Sequence, residues 1–179
     1  MDIQAVSHGF DDRIRWDPAL IRKYDVAGPR YTSYPTALQF VDSFGSREYE
    51  EYLLERPPVI GPLSLYVHIP YCRNICYYCA CNKIVTRDAS VAERYIVALE
   101  KEIALLSRHF DRRRRVTQLH WGGGTPTFLS PAELTRLMHG LAKHFSLIDS
   151  PEREYSIEID PRSVDTGTIA LLKGLGFNR

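Results

Sequence analysis

Four cysteines fall within ten residues, Cys72, Cys76, Cys79 and Cys81, and the 179-residue chain has no others. A disulfide framework spreads its cysteines so that each bond staples distant segments, which thiols this close together cannot do. The fold must therefore rest on a hydrophobic core, and the cluster points to thiolates gathered for a metal. With 44% hydrophobic and 25% charged residues the chain can supply such a core in one domain; two full domains would be cramped. Lys plus Arg number 23 against 22 Asp plus Glu, so no overall charge points to nucleic acid or a membrane surface. No apolar run approaches the roughly 18 residues of a transmembrane helix, and the N-terminus MDIQAVSHGF lacks the pattern of a secretory signal. The chain reads as cytoplasmic.

Residues 1–56 show no sustained period, and Gly28-Pro29-Arg30-Tyr31-Thr32-Ser33-Tyr34-Pro35 mixes turn formers with aromatics, which reads as an irregular N-terminal arm. A short helix near Arg47 to Leu54 is broken by Arg56-Pro57-Pro58, and the main domain, 57–179, is expected to begin there. Leu63 to Ile69 is a short apolar run that fits a buried strand. Between Ala89 and Phe110 the residues Ala92, Tyr95, Ile96, Leu99, Ile103, Leu106 and Phe110 make one apolar helical face. Val116 to Trp121 reads as a second strand, Ser130-Pro131-Ala132-Glu133 as the capping box of a second helix running to Phe145. Tyr155 to Ile159 reads as a third strand, followed by a helix after Asp165 that stops at Gly174. Three strand-helix units imply α/β architecture with a parallel sheet, and periodicity alone does not choose between an open doubly wound sheet and a barrel. A barrel of eight such units takes about 250 residues, and Gly176-Phe177-Asn178-Arg179 stands where a fourth strand would start, so a fragment is expected.

Thiolates at Cys72-x-x-x-Cys76-x-x-Cys79-x-Cys81 suit an iron-sulfur cluster or zinc, although structural zinc sites usually pair two separated cysteine knuckles. Gly122-Gly123-Gly124-Thr125-Pro126 lets backbone N–H groups approach a ligand, or makes an ordinary tight turn. Arg112 to Arg115 reads as a solvated helix end, and His68 and His120 read as structural. Arg30 can meet carboxylates bidentately, with a plain surface arginine as the default.

The loop Cys72-x-x-x-Cys76-x-x-Cys79 after a first strand resembles the signature of the radical S-adenosylmethionine superfamily. Within it, Tyr66-Val67-His68-Ile69-Pro70-Tyr71-Cys72, Cys79-Ala80-Cys81-Asn82-Lys83, the arm Gly28 to Pro35, Gly122 to Thr127 and Glu158-Ile159-Asp160-Pro161-Arg162 resemble the oxygen-independent coproporphyrinogen III oxidases. The resemblance covers about Asp17 to Arg179, while the family's later segments are absent. It implies the first three units of a partial parallel (β/α)6 barrel. It further implies that Cys72, Cys76 and Cys79 hold a [4Fe-4S] cluster whose open iron takes S-adenosylmethionine, with a second such molecule beside it. The family's reaction removes carbon dioxide from two propionates of coproporphyrinogen III, giving the vinyls of protoporphyrinogen IX in haem biosynthesis. By the same resemblance Tyr66, Tyr78, Gly123, Gly124, Thr125 and Glu158 contact the cofactor and Cys81 is catalytic or near the substrate; many relatives have Phe where Tyr78 stands. Gly122 is assigned to turn geometry.

Each residue also has a plainer reading: Tyr66 as a core tyrosine, Cys81 as a small hydrophobe, Glu158 as a solvent-facing group near a strand end. An electron donor such as flavodoxin or ferredoxin is implied, the protein is expected to be a monomer, and three units alone are not expected to turn over. The rival readings are a haem chaperone of the related group, which typically has Phe at the position of Cys81, and a structural zinc module.

Overall fold

The computed structural model describes residues 17–26, 36–55 and 61–179. The chain divides into two compact units, Met1–Gly45 and Ser46–Arg179. In the first, the described residues include helix α1 (Pro18–Tyr24) and a 3-10 turn at Ala37–Gln39. An irregular arm is the expectation here, and α1 departs from it for a local reason. The Asp17 carboxylate accepts from the N–H groups of Ala19 and Leu20 at 2.9 and 3.0 Å, and Pro18 brings a helical φ to the first position. Two turns are too short for a 3.6-residue period to show. The segment Gly28 to Pro35, including Arg30, and the expected boundary near Pro57 lie outside the described residues.

The second unit begins with the expected short helix, α2 (Ser46–Glu55), which buries Leu53. Then follow β1 (Leu63–Ile69), β2 (Tyr71–Cys72), β3 (Ile84–Val85), α3 (Val91–Leu106), β4 (Arg115–Gly123), α4 (Pro131–His144), β5 (Ser146–Leu147), β6 (Glu154–Ile157) and α5 (Thr166–Gly174). The three strand-helix units are thus β1-α3, β4-α4 and β6-α5. Strand β4 pairs in parallel with β1 on one side and with β6 on the other, while the short β5 pairs with the start of β4. Successive strands are neighbours. Helices α3 and α4 are neighbours too: Arg136 of α4 reaches Glu93 and Glu100 of α3 at 2.7 and 2.6 Å. A doubly wound sheet would reverse its strand order and send helices to both faces; sequential strands with helices side by side make a segment of barrel wall. At the chain's end, Arg179 N–H donates to the Tyr155 carbonyl and Ile157 N–H to the Arg179 carbonyl, both at 3.1 Å. That is the parallel ladder pattern on the free edge of β6, where a fourth strand is expected to start.

The core lies between sheet and helices. Leu63, Val67, Ile69, Val116, Leu119, Trp121 and Tyr155 bury the strand side, and Ile96, Ile103, Leu134, Leu137, Met138 and Leu141 the helix side. Helix α4 starts at the capping box read from sequence: Glu133 N–H donates to Ser130 Oγ at 3.3 Å and Ser130 N–H to Glu133 Oε2 at 2.7 Å. Helix α5 starts on Asp165, which accepts from Thr168 N–H at 2.7 Å. It stops at Gly174, as expected, and the left-handed residue follows two positions later, at Gly176 (φ +98°). Phe177 N–H returns to Leu172 O and Gly176 N–H to Lys173 O, a Schellman closure that folds Phe177 edge-to-face onto Trp121.

Two further expectations are corrected. Strand β1 is buried on one face only, since Ser64 and Tyr66 are exposed on the other. The arginine run is not simply a solvated helix end: Arg112 donates to the Lys143 carbonyl at 2.7 Å, Arg113 pairs with Asp111, and Arg114 donates to Gly61 O at 2.8 Å. Its charges cap the end of α4 and fasten the entry to β1. No helix among the described residues is long and apolar enough to cross a membrane.

Candidate functional site

The three parallel strands end together, and the residues singled out by sequence gather where they end. After β1 the chain passes Pro70 into β2, loops through the cysteines and returns as β3, which pairs in parallel with β2. Ile84 N–H donates to Pro70 O at 2.7 Å and Thr86 N–H to Cys72 O at 2.9 Å, closing the loop at its base. The end of β4 is fastened to the same base, with Gly124 N–H on Ile69 O at 2.8 Å and Thr125 N–H on Tyr71 O at 2.9 Å. The Thr125 hydroxyl donates to Cys72 Sγ at 3.5 Å. Short strands β2 and β3 leave no sequence period, because two residues cannot display one.

A cavity of about 610 Å³ opens over this base, lined by all four cysteines together with Tyr78, Gly123, Gly124, Thr125 and Glu158. This volume is in the range of small-molecule sites. Cys72 is buried, Cys76 and Cys79 are half-buried and Cys81 is exposed. The backbone N–H of Cys81 and the nearby Lys83 cation hold the Cys79 thiol below its ordinary range, whereas lost solvation and the adjacent Cys79 push Cys81 up. Tyr66 is not part of the cavity wall. Its hydroxyl lies 2.9 Å from His68 Nδ1, its ring stacks on His120, and burial followed by the Glu158 charge raises its phenol.

Glu158 stands one residue beyond β6, not inside a strand, with its side chain 52% exposed. The ladder ends at Ile157, and Glu158 N–H still reaches Trp121 O at 2.9 Å, so the carboxylate projects over the end of β4. Its Oε2 accepts from Gly123 N–H at 3.2 Å, and its Oε1 lies 3.4 Å from His120 Nε2. The glycines make this approach possible. Gly123 has φ +110°, and a Cβ there would come within 2.6 Å of the His68 ring. A Cβ on Gly122 would stand 2.8 Å from His120 Nε2 and 3.0 Å from Glu158 Oε1, so that glycine makes room for side chains and does not serve a turn.

Polar residues line the open face of the sheet as one set, of which the sequence alone singles out Tyr66. Ladder register places Tyr66 beside His120 and His120 beside Ser156, with His68 beside Gly122. His120 Nδ1 lies 2.7 Å from Ser156 Oγ, and His68 Nε2 lies 2.9 Å from Asn82 O. The signal was available as polar residues at every second strand position: Ser64, Tyr66, His68; Gln118, His120; Glu154, Ser156. Arg162 also lines the cavity, held by Asp160 at 2.9 Å through both Nε and Nη2.

The profile of the Radical SAM superfamily matches residues 66–179, the span from the first strand through the cysteine loop to the chain's end. The chain belongs to the radical SAM superfamily. It is 54% identical over 168 residues to the oxygen-independent coproporphyrinogen III oxidase of Pseudomonas aeruginosa, covering 94% of this chain and 36% of that protein. A Mannheimia haemolytica sequence of the same name is 47% identical over 148 residues, 83% of this chain and 98% of that sequence. Among solved structures, the coproporphyrinogen III oxidase HemN of Escherichia coli, described as a radical SAM enzyme, superposes with a TM-score of 0.75 at 48% identity, over 93% of this chain and 36% of that one. This radical SAM chain therefore spans about a third of the Pseudomonas and Escherichia proteins, and its parallel sheet is the corresponding part of a (β/α) barrel.

Family membership implies a [4Fe-4S] cluster and S-adenosylmethionine, and the donor set fits them. The cysteines of this radical SAM fold all line one cavity and supply the soft thiolates that such a cluster takes.

Proposed function

We propose that this chain carries the cofactor-binding part of an oxygen-independent coproporphyrinogen III oxidase. The observation that carries the reading is the convergence of the cysteine loop, the Gly123-Gly124-Thr125 segment and Glu158 on one cavity at the strand ends. The names of its relatives support the substrate. Each of two propionates would lose carbon dioxide, a proton and two electrons to become a vinyl group, giving protoporphyrinogen IX without dioxygen. When bound, a [4Fe-4S] cluster and S-adenosylmethionine together supply one-electron reduction of the sulfonium and hydrogen abstraction from a substrate carbon.

In this reading Cys72, Cys76 and Cys79 hold the cluster. Glu158 accepts from cationic or donor groups of S-adenosylmethionine, its carboxylate kept in place by Gly123 N–H. The bare backbone of Gly123 and Gly124 and the Thr125 hydroxyl admit the cofactor closely, Tyr66 backs the site, and Tyr78 contacts the cofactor from the same cavity wall, with a second S-adenosylmethionine beside the first. Cys81, the exposed cysteine of the four, stays free of the cluster and near the substrate in this reading. A flavodoxin or ferredoxin would deliver electrons to a monomeric protein. The haem chaperone reading is disfavoured by Cys81, where that group typically has Phe.

Anaerobic reconstitution with iron and sulfide, followed by iron counting and paramagnetic resonance with and without S-adenosylmethionine, tests the reading. Four irons per chain and a spectrum altered by the cofactor are expected. Cys72→Ser, Cys76→Ser or Cys79→Ser should abolish the cluster while Cys81→Ser keeps it; stoichiometric zinc, or loss of the cluster in Cys81→Ser, would overturn the assignment.

A further inference from the structure

His120 has a partner at both ring nitrogens and on its ring face, and the proposed function gives it no task. Its ring is fixed on three sides. It stacks on Tyr66 with centroids 5.7 Å apart and planes 17° apart, its Nδ1 lies 2.7 Å from Ser156 Oγ, and its Nε2 lies 3.4 Å from Glu158 Oε1. The room for that last contact comes from Gly122, whose missing Cβ would strike both the imidazole and the carboxylate. Strand register sets the whole arrangement, since Tyr66, His120 and Ser156 are consecutive partners across β1, β4 and β6.

A hydroxyl can donate or accept, but an ionised carboxylate only accepts. The one neutral assignment that satisfies every partner puts the imidazole proton on Nε2, directed at Glu158, with the Ser156 hydroxyl donating to Nδ1. Gly123 N–H takes the other carboxylate oxygen at 3.2 Å. We infer that His120 is a positioning residue: as the Nε2–H tautomer, backed by Ser156, it aims Glu158 into the cavity and seats Tyr66 behind it. Its effect on S-adenosylmethionine rests on the function proposed above, whereas the tautomer stands by itself.

Two measurements test this. Long-range proton–nitrogen spectra of the full chain at about pH 8, above the ordinary imidazole range, should show His120 protonated at Nε2, and that proton should lose its protection in Glu158→Ala. Protonation at Nδ1 overturns the inference whatever the cofactor does. In the reconstituted chain, His120→Gln, whose amide can stand in for Nε2–H, should keep S-adenosylmethionine affinity within about threefold, and His120→Asn, which can replace only Nδ1, should lose roughly tenfold. Equal losses in both variants would also overturn it. If wild type itself fails to bind S-adenosylmethionine, the proposed function falls while the spectra still decide the tautomer.

Discussion

The two faces of the β1-β4-β6 sheet are made from alternate residues of the same strands, yet they do opposite work. On one face Val67, Ile69, Val116, Leu119, Trp121 and Tyr155 pack under α3 and α4, and Trp121 and Ile69 have no accessible surface. On the other, Tyr66, His68, Gln118, His120, Ser156 and Glu158 are half-buried or exposed and are tied by hydrogen bonds and ring stacking. Parallel strands buried on both faces read as unbroken apolar runs, so alternating polar residues in parallel strands mark a face kept for chemistry. Stability is concentrated on the helix face, while the open face holds groups whose value is their aim.

The sharpest test removes one large ring from each face. Trp121→Ala should cost about 3–5 kcal/mol in denaturant unfolding, because it empties a packed site, whereas Tyr66→Ala should cost under about 1 kcal/mol. Tyr66→Ala should nonetheless weaken S-adenosylmethionine binding; equal stability losses would break the comparison. Gly123→Ala sits where the faces meet, and its positive φ and 2.6 Å approach to His68 predict a loss of about 1–3 kcal/mol. Adding His68→Ala should recover the steric share and leave the backbone share, as a double-mutant cycle would show. On the helix side, Ser130→Ala should cost about 1 kcal/mol through the lost cap of α4 and leave the concave face unchanged by chemical-shift mapping.

The smallest effect is expected from Arg136→Met. Hydrogen bonding to Arg136 lowers the Glu100 carboxyl, so this pair stabilises the fold above the ordinary glutamate value of about 4.3 and stops doing so as pH falls through the lower folded value. Wild type and variant should therefore differ modestly in thermal midpoint at neutral pH and converge in acid. A difference that grew on acidification would contradict the pairing.

How much was legible in the sequence follows from how local each feature is. The capping box at Ser130 and Glu133, the apolar faces of α3 and α4 and the cysteine spacing are set by residues within a few positions of one another, and all could be read directly. Glu158 was found through its motif but placed inside a strand, since nothing local shows that the ladder with β4 stops at Ile157. Helix α1 was missed because its only signal is a cap, whereas the stop of α5 at Gly174 was legible and only the closing turn through Gly176 back to Leu172 was not. The contacts of His120 were not legible because its partners lie 36 and 38 residues away and, for Tyr66, 54 residues away.

The sequence by itself determined the strand-helix alternation, the helix caps and a soft-ligand loop after the first strand, all consequences of short-range sterics, periodicity and side-chain chemistry. Only the tertiary structure decided that the sheet is barrel wall with its helices side by side. It alone decided that Glu158 shares its two oxygens between Gly123 N–H and His120, and that Gly122 is bare to let them meet. Such contacts join residues from three strands through ladder register, and register is fixed by the packing of the whole sheet.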